Sequence, residues 1–316
     1  MEKRYRSITP ELLGELQGGK LKFMVEWAQL HPERLILCLR GERVILYDRS
    51  HVFLAGYMSK HIPVLKVSIN HIKADSNAER NGEEKKQQFA EEFGFTVKHK
   101  EATKTISAEP SKVYVASLYD YLADMMDAFF GTNSLLEKRR QQEIFNLYKN
   151  KQDGYFIYDI EYAEPHKNLA EKKADKHDNR TDMLALRYQD GIPVALAFIE
   201  LKAKKSACGN KEIGIKAHLS KMCGAIDSKA EYMTERTTAA YEVMKQYGQL
   251  NLYHVLPEIK PGRGSLPPEV IIYLTDEAID YRQSNPDDFI APLGWKYEEI
   301  TTDGALIIIY THPQEA

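Results

Sequence analysis

The chain has 316 residues, 43% hydrophobic and 28% charged. That is enough to bury the core of one large domain or two ordinary ones, and too long for a disulfide-stapled mini-protein. Lys and Arg number 43 against 46 Asp and Glu, a formal net charge of −3, which excludes a scaffold that coats nucleic acid over its whole surface; any phosphate-binding surface must be local. Cys38, Cys208 and Cys223 stand far apart with no CxxC spacing, which argues against a disulfide framework or a Cys-rich zinc site and for a reducing compartment. The opening residues, MEKRYRSITPELL, lack the apolar stretch of a signal peptide, and no run approaches the roughly 18 apolar residues that span a bilayer. A cytoplasmic protein with no membrane partner is expected.

In chain order, residues 8–31 read as helical, opening at Thr9-Pro10 with Leu12, Leu13 and Leu16 on one face. Leu35–Arg40 and Arg43–Tyr47 flank Gly41-Glu42 as a hairpin, and Val52–Ala55 and Pro63–Ile69 offer two more strands. Residues 71–112 are polar and Lys/Glu-rich, with scattered Phe89, Phe93 and Phe95; they read as a peripheral excursion or a linker region, with a short helix near 83–93. Leu118, Leu122, Met125, Met126 and Phe129 follow helical spacing through 113–130. After a break at Gly131-Thr132, Asn133 or Ser134 offers a cap, with Glu137 completing a capping box, for a helix to about Asn150. Strands are expected at Tyr155–Tyr162, Asp182–Tyr188 and Val194–Leu201, the last two joined by an Asp190-Gly191 turn. A helical region at 213–247 and strands at Val270–Leu274 and Ala305–Tyr310 follow. Residues 1–112 thus form an N-terminal α+β accessory or recognition region without a catalytic motif, and 113–316 an α/β domain.

The chemistry gathers at Asp182, Glu200 and Lys202. Side chains alternate along a strand, so Glu200 and Lys202 share a face, and a hairpin through Asp190-Gly191 brings Asp182 beside them. Glu-x-Lys occurs five times, and only Glu200/Lys202 directly follows an apolar strand run, Val194 to Ile199. Burying these charges costs several kcal/mol unless they are paired or hold a metal. Two carboxylates at a sheet end form a hard-oxygen site suited to Mg²⁺ or Mn²⁺, and a neighbouring ammonium can orient an attacking water. The bland alternative is a structural Glu–Lys pair at a strand end.

With this triad, and its setting of helix, strand, strand-turn-strand and helix, residues 134–275 resemble the PD-(D/E)XK nuclease superfamily. The residue before the Asp is Thr181 where the family name has Pro. The resemblance implies a restriction-endonuclease-like mixed central sheet flanked by helices. It further implies a Mg²⁺- or Mn²⁺-dependent nuclease in which Asp182 and Glu200 bind the metal and Lys202 assists the water. Many members add an acid from the helix before the first strand; Glu143 is preferred over Glu137, because it adjoins the apolar face of Ile144, Leu147 and Tyr148. Asp159 and Glu161 are the nearby strand acids. Glu161 and Arg180 are expected to support the metal-holding side chains from behind.

From 202 to 221 six lysines (Lys202, Lys204, Lys205, Lys211, Lys216, Lys221) face one acid, Glu212. Such a strip suits a phosphate backbone; Lys204, Lys216 and Lys221 are the expected nucleic-acid contacts, and His218 and Lys221 should face the cleft. Glu164–Thr181, nearly neutral, reads as a flexible loop over the site. His166, His177 and His218 make no zinc spacing, and Pro261-Gly-Arg-Gly264 is no P-loop. The expectation is a phosphodiester hydrolase acting on DNA in preference to RNA, in restriction, phage defence or DNA processing, and a homodimer where both strands are cut. The rival is an inactive nuclease-fold module that binds nucleic acid or assembles with partners.

Overall fold

The computed structural model describes residues 7–69, 72, 79–131, 135–148, 154–163, 180–209, 214–227, 232–252, 265–302 and 304–312. Asn133, Ser134, Asn150, Lys211, the segment 164–179 with His166 and His177, and the stretch 261–264 lie outside them. Among the described residues the protein is mixed α/β, with nine helices and two six-stranded sheets. It divides into two compact units, Met1–Leu135 with Gln246–Leu252, and Leu136–Lys245 with Tyr253–Ala316. Among the described residues no helix is long and apolar enough to cross a membrane.

The first unit opens with α1 (Pro10–Gln17) and α2 (Lys22–Leu30), not one helix over 8–31, because Gly18 and Gly19 interrupt the repeat. Thr9 caps α1 as expected, its hydroxyl accepting from the Leu12 amide at 3.2 Å. Then come β1 (Leu35–Arg40), β2 (Arg43–Asp48), β3 (His51–Ser59), β4 (Ile62–Ser68), α3 (Glu79–Phe93), β5 (Thr96–Lys98), β6 (Glu101–Thr105) and α4 (Lys112–Gly131). The sheet is antiparallel throughout, in the order β1-β2-β3-β4-β6-β5.

Within 71–112 the helix expected near 83–93 is present as α3, and β5 and β6 join this unit's sheet, so 79–105 is part of the unit and not a linker. Phe89 and Phe93, four apart on α3, meet Phe95 and the α4 residue Tyr121 in a cluster of rings. That anchor outweighs the polar composition around it. The unit also ends later than residue 112. α4 buries Leu118, Leu122, Met126 and Phe130, each side chain contributing roughly 1.5–3 kcal/mol. Its Tyr119 packs on Trp27 and Phe53. Its Asp127 receives Arg34 and Arg49, which both also hold the fully buried Asp48.

The second unit contains α5 (Leu136–Tyr148), β7 (Gly154–Ala163), β8 (Arg180–Gln189), β9 (Ile192–Lys202), α6 (Lys205–Cys208), α7 (Ile215–Asp227), α8 (Tyr232–Gln249), β10 (Pro268–Thr275), α9 (Glu277–Ser284), β11 (Lys296–Thr302) and β12 (Ala305–Thr311). The last residues of α8 are counted with the first unit. The helical region expected at 213–247 holds two helices, α7 and α8. The sheet order is β11-β12-β10-β9-β8-β7. β9 and β10 run parallel and every other pair antiparallel. β10 is buried along its whole length, and β9 from Ala195 to Lys202, as befits central strands. The edge strand β11 is exposed at every position; its Lys296, Glu298 and Glu299 put charge on an open edge.

Candidate active site

The strand directions bring the C-terminal ends of β7, β9 and β10 and the start of β8 to one end of the second sheet. The tight turn between β8 and β9 places Asp190 and Gly191 at φ +52° and +72°, a left-handed pair that fits Asp-Gly. The pairs Met183↔Ile199 and Leu184↔Phe198, extended by one residue, set Asp182 opposite Glu200 on the face that also carries Lys202. Ile160↔Met183 and Tyr162↔Thr181 likewise set Glu161 opposite Asp182. Three carboxylates and an amine thus lie in a row across β7, β8 and β9. Glu161 holds φ +54°, a left-handed conformation uncommon for a side-chain-bearing residue and costing of order 1–3 kcal/mol.

Glu200 is 2% exposed and Lys202 8%, while Asp182 lies at the rim with intermediate exposure. Lys202 Nζ donates to Glu200 Oε1 at 2.7 Å. Asp182 Oδ2 accepts from the Leu201 amide at 2.8 Å. Glu200 Oε2 is buried and meets no hydrogen-bond donor among the described residues. Burial first, and the Asp182 charge second, push Glu200 up to about 8, with Lys202 pulling the other way. Burial also drives Asp182 up to about 6, helped by Glu161 and opposed by Lys202. For Lys202 burial favours loss of the proton, but Glu200 and Asp182 outweigh it and raise the ammonium's pKa.

These residues fit a divalent cation. Hard oxygen donors converge, one buried carboxylate oxygen lacks a donor, and a positive ion would relieve the repulsion that makes both acids hard to ionise. Asp182 and Glu200 are the side chains that would hold it. Among the described residues no group of three or more His, Cys, Asp and Glu side chains is gathered as a ready-made metal cage.

α5 ties this end of the sheet together. Gln141 Nε2 donates to the Asp182 carbonyl at 2.5 Å. Glu137 Oε1 accepts from the Ala203 amide at 3.4 Å. Lys138 pairs with Glu161. Arg140 grips both oxygens of Asp276, just past β10, at 2.8 and 2.9 Å. One helix thereby reaches four neighbouring strand ends.

The helical acid expected at the site, Glu143, is not there. Its side chain is 59% exposed and pairs with Arg140 at 2.7 Å. Glu137 faces the cluster instead, and its charge bears on both Glu200 and Lys202. The buried side of α5 is Gln141, Gln142, Ile144 and Phe145, whereas Leu147 is 50% exposed. Glu137 lies four residues before Gln141, on the same side of the helix. If the cluster takes a divalent cation, Glu137→Gln should weaken Mn²⁺ binding about 10-fold while Glu143→Gln leaves it unchanged, read by titration calorimetry.

Other expected residues are placed as follows. The Arg180 backbone starts β8, paired with Ala163; its side chain is outside the described residues. Lys204 and Lys216 are exposed and Lys221 is half-buried on α7. His218, also on α7, brings Nδ1 to 3.3 Å from Glu200 Oε1, a contact the sequence hinted at only through its place at the start of the helix after β9. No family model, curated protein or solved structure matches the chain.

Proposed function

We propose that this protein is a divalent-metal-dependent nuclease with a restriction-endonuclease-like core, hydrolysing phosphodiester bonds of nucleic acid, DNA in preference to RNA. The observation that carries this reading is Glu200: a buried carboxylate facing Asp182 and Lys202, with Oε2 lacking a donor among the described residues. Such a group is costly to the fold alone and useful with a cation beside it. Asp182 and Glu200 hold the ion, which when bound supplies Lewis-acid polarisation and a more acidic water. Lys202 keeps its proton at Nζ and offers its N–H groups to the attacking water or the charge on the phosphate. Lys204 and Lys216, exposed beyond the strand end and at the start of α7, seat the backbone; Lys221 lies one turn further on.

The test is a cleavage panel of single- and double-stranded DNA and RNA with Mg²⁺, Mn²⁺ or chelator, and Lys202→Ala as control. Metal-dependent cutting of at least one substrate, lost in the control, is expected. No cutting of any form with either metal would contradict the reading. The second reading, an inactive nucleic-acid-binding or assembly module, draws on the 2.7 Å Lys202–Glu200 pair, which already meets part of each partner's need. It predicts binding without cleavage and no affinity for the cation.

A further inference from the structure

Two nitrogens from different elements converge on one oxygen, Lys202 Nζ as a hydrogen-bond donor and His218 Nδ1 within ion-pair distance. Lys202 Nζ lies 2.7 Å from Glu200 Oε1, and His218 Nδ1 lies 3.3 Å from the same atom. They are not equivalent. Lys202 sits on the same strand as Glu200, on a flexible four-carbon stem with rotatable N–H groups. His218 belongs to α7, whose buried Ile215, Leu219, Met222, Cys223 and Ile226 form one side of the helix, and α7 packs against β10. Its ring has few rotatable bonds, and its side chain is only 19% exposed.

The nuclease reading asks two things of Lys202. It must satisfy Glu200 Oε1 at rest, and it must turn its N–H groups to water or phosphate in the reaction. A buried carboxylate that loses its donor is penalised by several kcal/mol, so an ammonium acting alone would be held back. A second, rigid donor at the same oxygen removes the conflict.

We propose that His218 is a positioning residue for Glu200: its Nδ1–H holds Oε1 in place, with Oε2 presented to the cation, while Lys202 turns to the substrate. His218 does not itself touch the reacting atoms. The inference rests on the nuclease reading and adds to it the residue that frees the amine.

The test compares His218→Ala, His218→Phe and His218→Asn in the full chain. Asn sets an amide N–H near the place of Nδ1; Phe keeps the ring's bulk without a donor. Two quantities are read, Mn²⁺ affinity by calorimetry without nucleic acid, and kcat and KM for Mn²⁺-dependent cleavage. His218→Ala and His218→Phe should each lower kcat about 10- to 100-fold and weaken Mn²⁺ about 10-fold, as loss of a group that orients a metal ligand does. KM for nucleic acid should stay within about 2-fold, because no substrate contact is removed. His218→Asn should recover most of both losses. Wild-type values in His218→Phe, or equal losses in the Asn and Phe variants, would overturn the inference, the second because packing and not the donor would then matter. A wild-type chain that neither binds Mn²⁺ nor cleaves would instead overturn the nuclease reading, and this inference with it.

Discussion

Glu200→Gln should abolish cleavage and yet leave the metal-free protein more stable in alkaline solution. The loss of activity should be at least about 10²-fold, the scale set by removing a preorganised electrostatic group from a buried site. Stability moves the other way because burial and Asp182 push the Glu200 carboxyl up to about 8, against about 4.3 in the unfolded chain. The contribution of the protonated group is full below the unfolded value and is lost as pH rises through about 8. A glutamine mimics the protonated acid at every pH and escapes that loss. With chelator present, variant and wild type should melt together near pH 4, and the variant should melt higher near pH 9. Asp182, raised to about 6, adds a loss of the same sign over a lower range. A melting difference that stays flat with pH would contradict the burial of a carboxylate that is hard to ionise, whatever happened to activity.

Lys202→Met should do the opposite to stability while also removing activity. Taking one partner from a buried ion pair typically costs about 3–5 kcal/mol, because the remaining charge is stranded. Here the stranded group can escape by taking up a proton. The cost should therefore be largest near pH 9 and shrink towards pH 4, where Glu200 is protonated in the folded chain and largely so in the unfolded one. The pair is enclosed, at 3% and 9% side-chain exposure, so solvent screening does little to soften the effect. Adding Glu200→Gln to Lys202→Met should restore most of the lost stability and none of the activity. Urea unfolding of the two single variants and the double gives the coupling directly. Additive losses would mean that the two side chains do not depend on each other.

The triad was legible because a strand has a period of two and a tight turn has few solutions. Asp190-Gly191 pins the register of β8 against β9, and that register alone puts Asp182 beside Glu200 and Lys202. An apolar run leading into Glu200 marked that pair as buried; among the described residues, Glu83/Lys85 and Glu84/Lys86 are not. Thr9-Pro10 announced α1 for a similarly local reason.

What escaped the sequence depended on tertiary partners. The rotation of α5 is set by Gln141 reaching the Asp182 carbonyl and Lys138 reaching Glu161, so choosing Glu143 from a neighbouring apolar face missed Glu137. β5 and β6 hide in a Lys/Glu-rich stretch because Ala102 is their only buried residue, whereas α3 was legible near 83–93. β11 buries nothing, which leaves hydrophobic periodicity with no pattern to report. The unit boundary moved to Leu135 because α4 spends its apolar side on the first sheet's aromatic residues.

The most direct test of the central claim is calorimetric titration of Mn²⁺ into the nucleic-acid-free chain at pH 7, in two buffers of different ionisation enthalpy, for wild type, Asp182→Asn and Glu200→Gln. The account predicts saturable binding to wild type with release of protons, since ligands that are hard to ionise must give them up to a cation, and no such binding to either variant. A wild-type chain that takes up no Mn²⁺, or variants that bind it as wild type does, would contradict it.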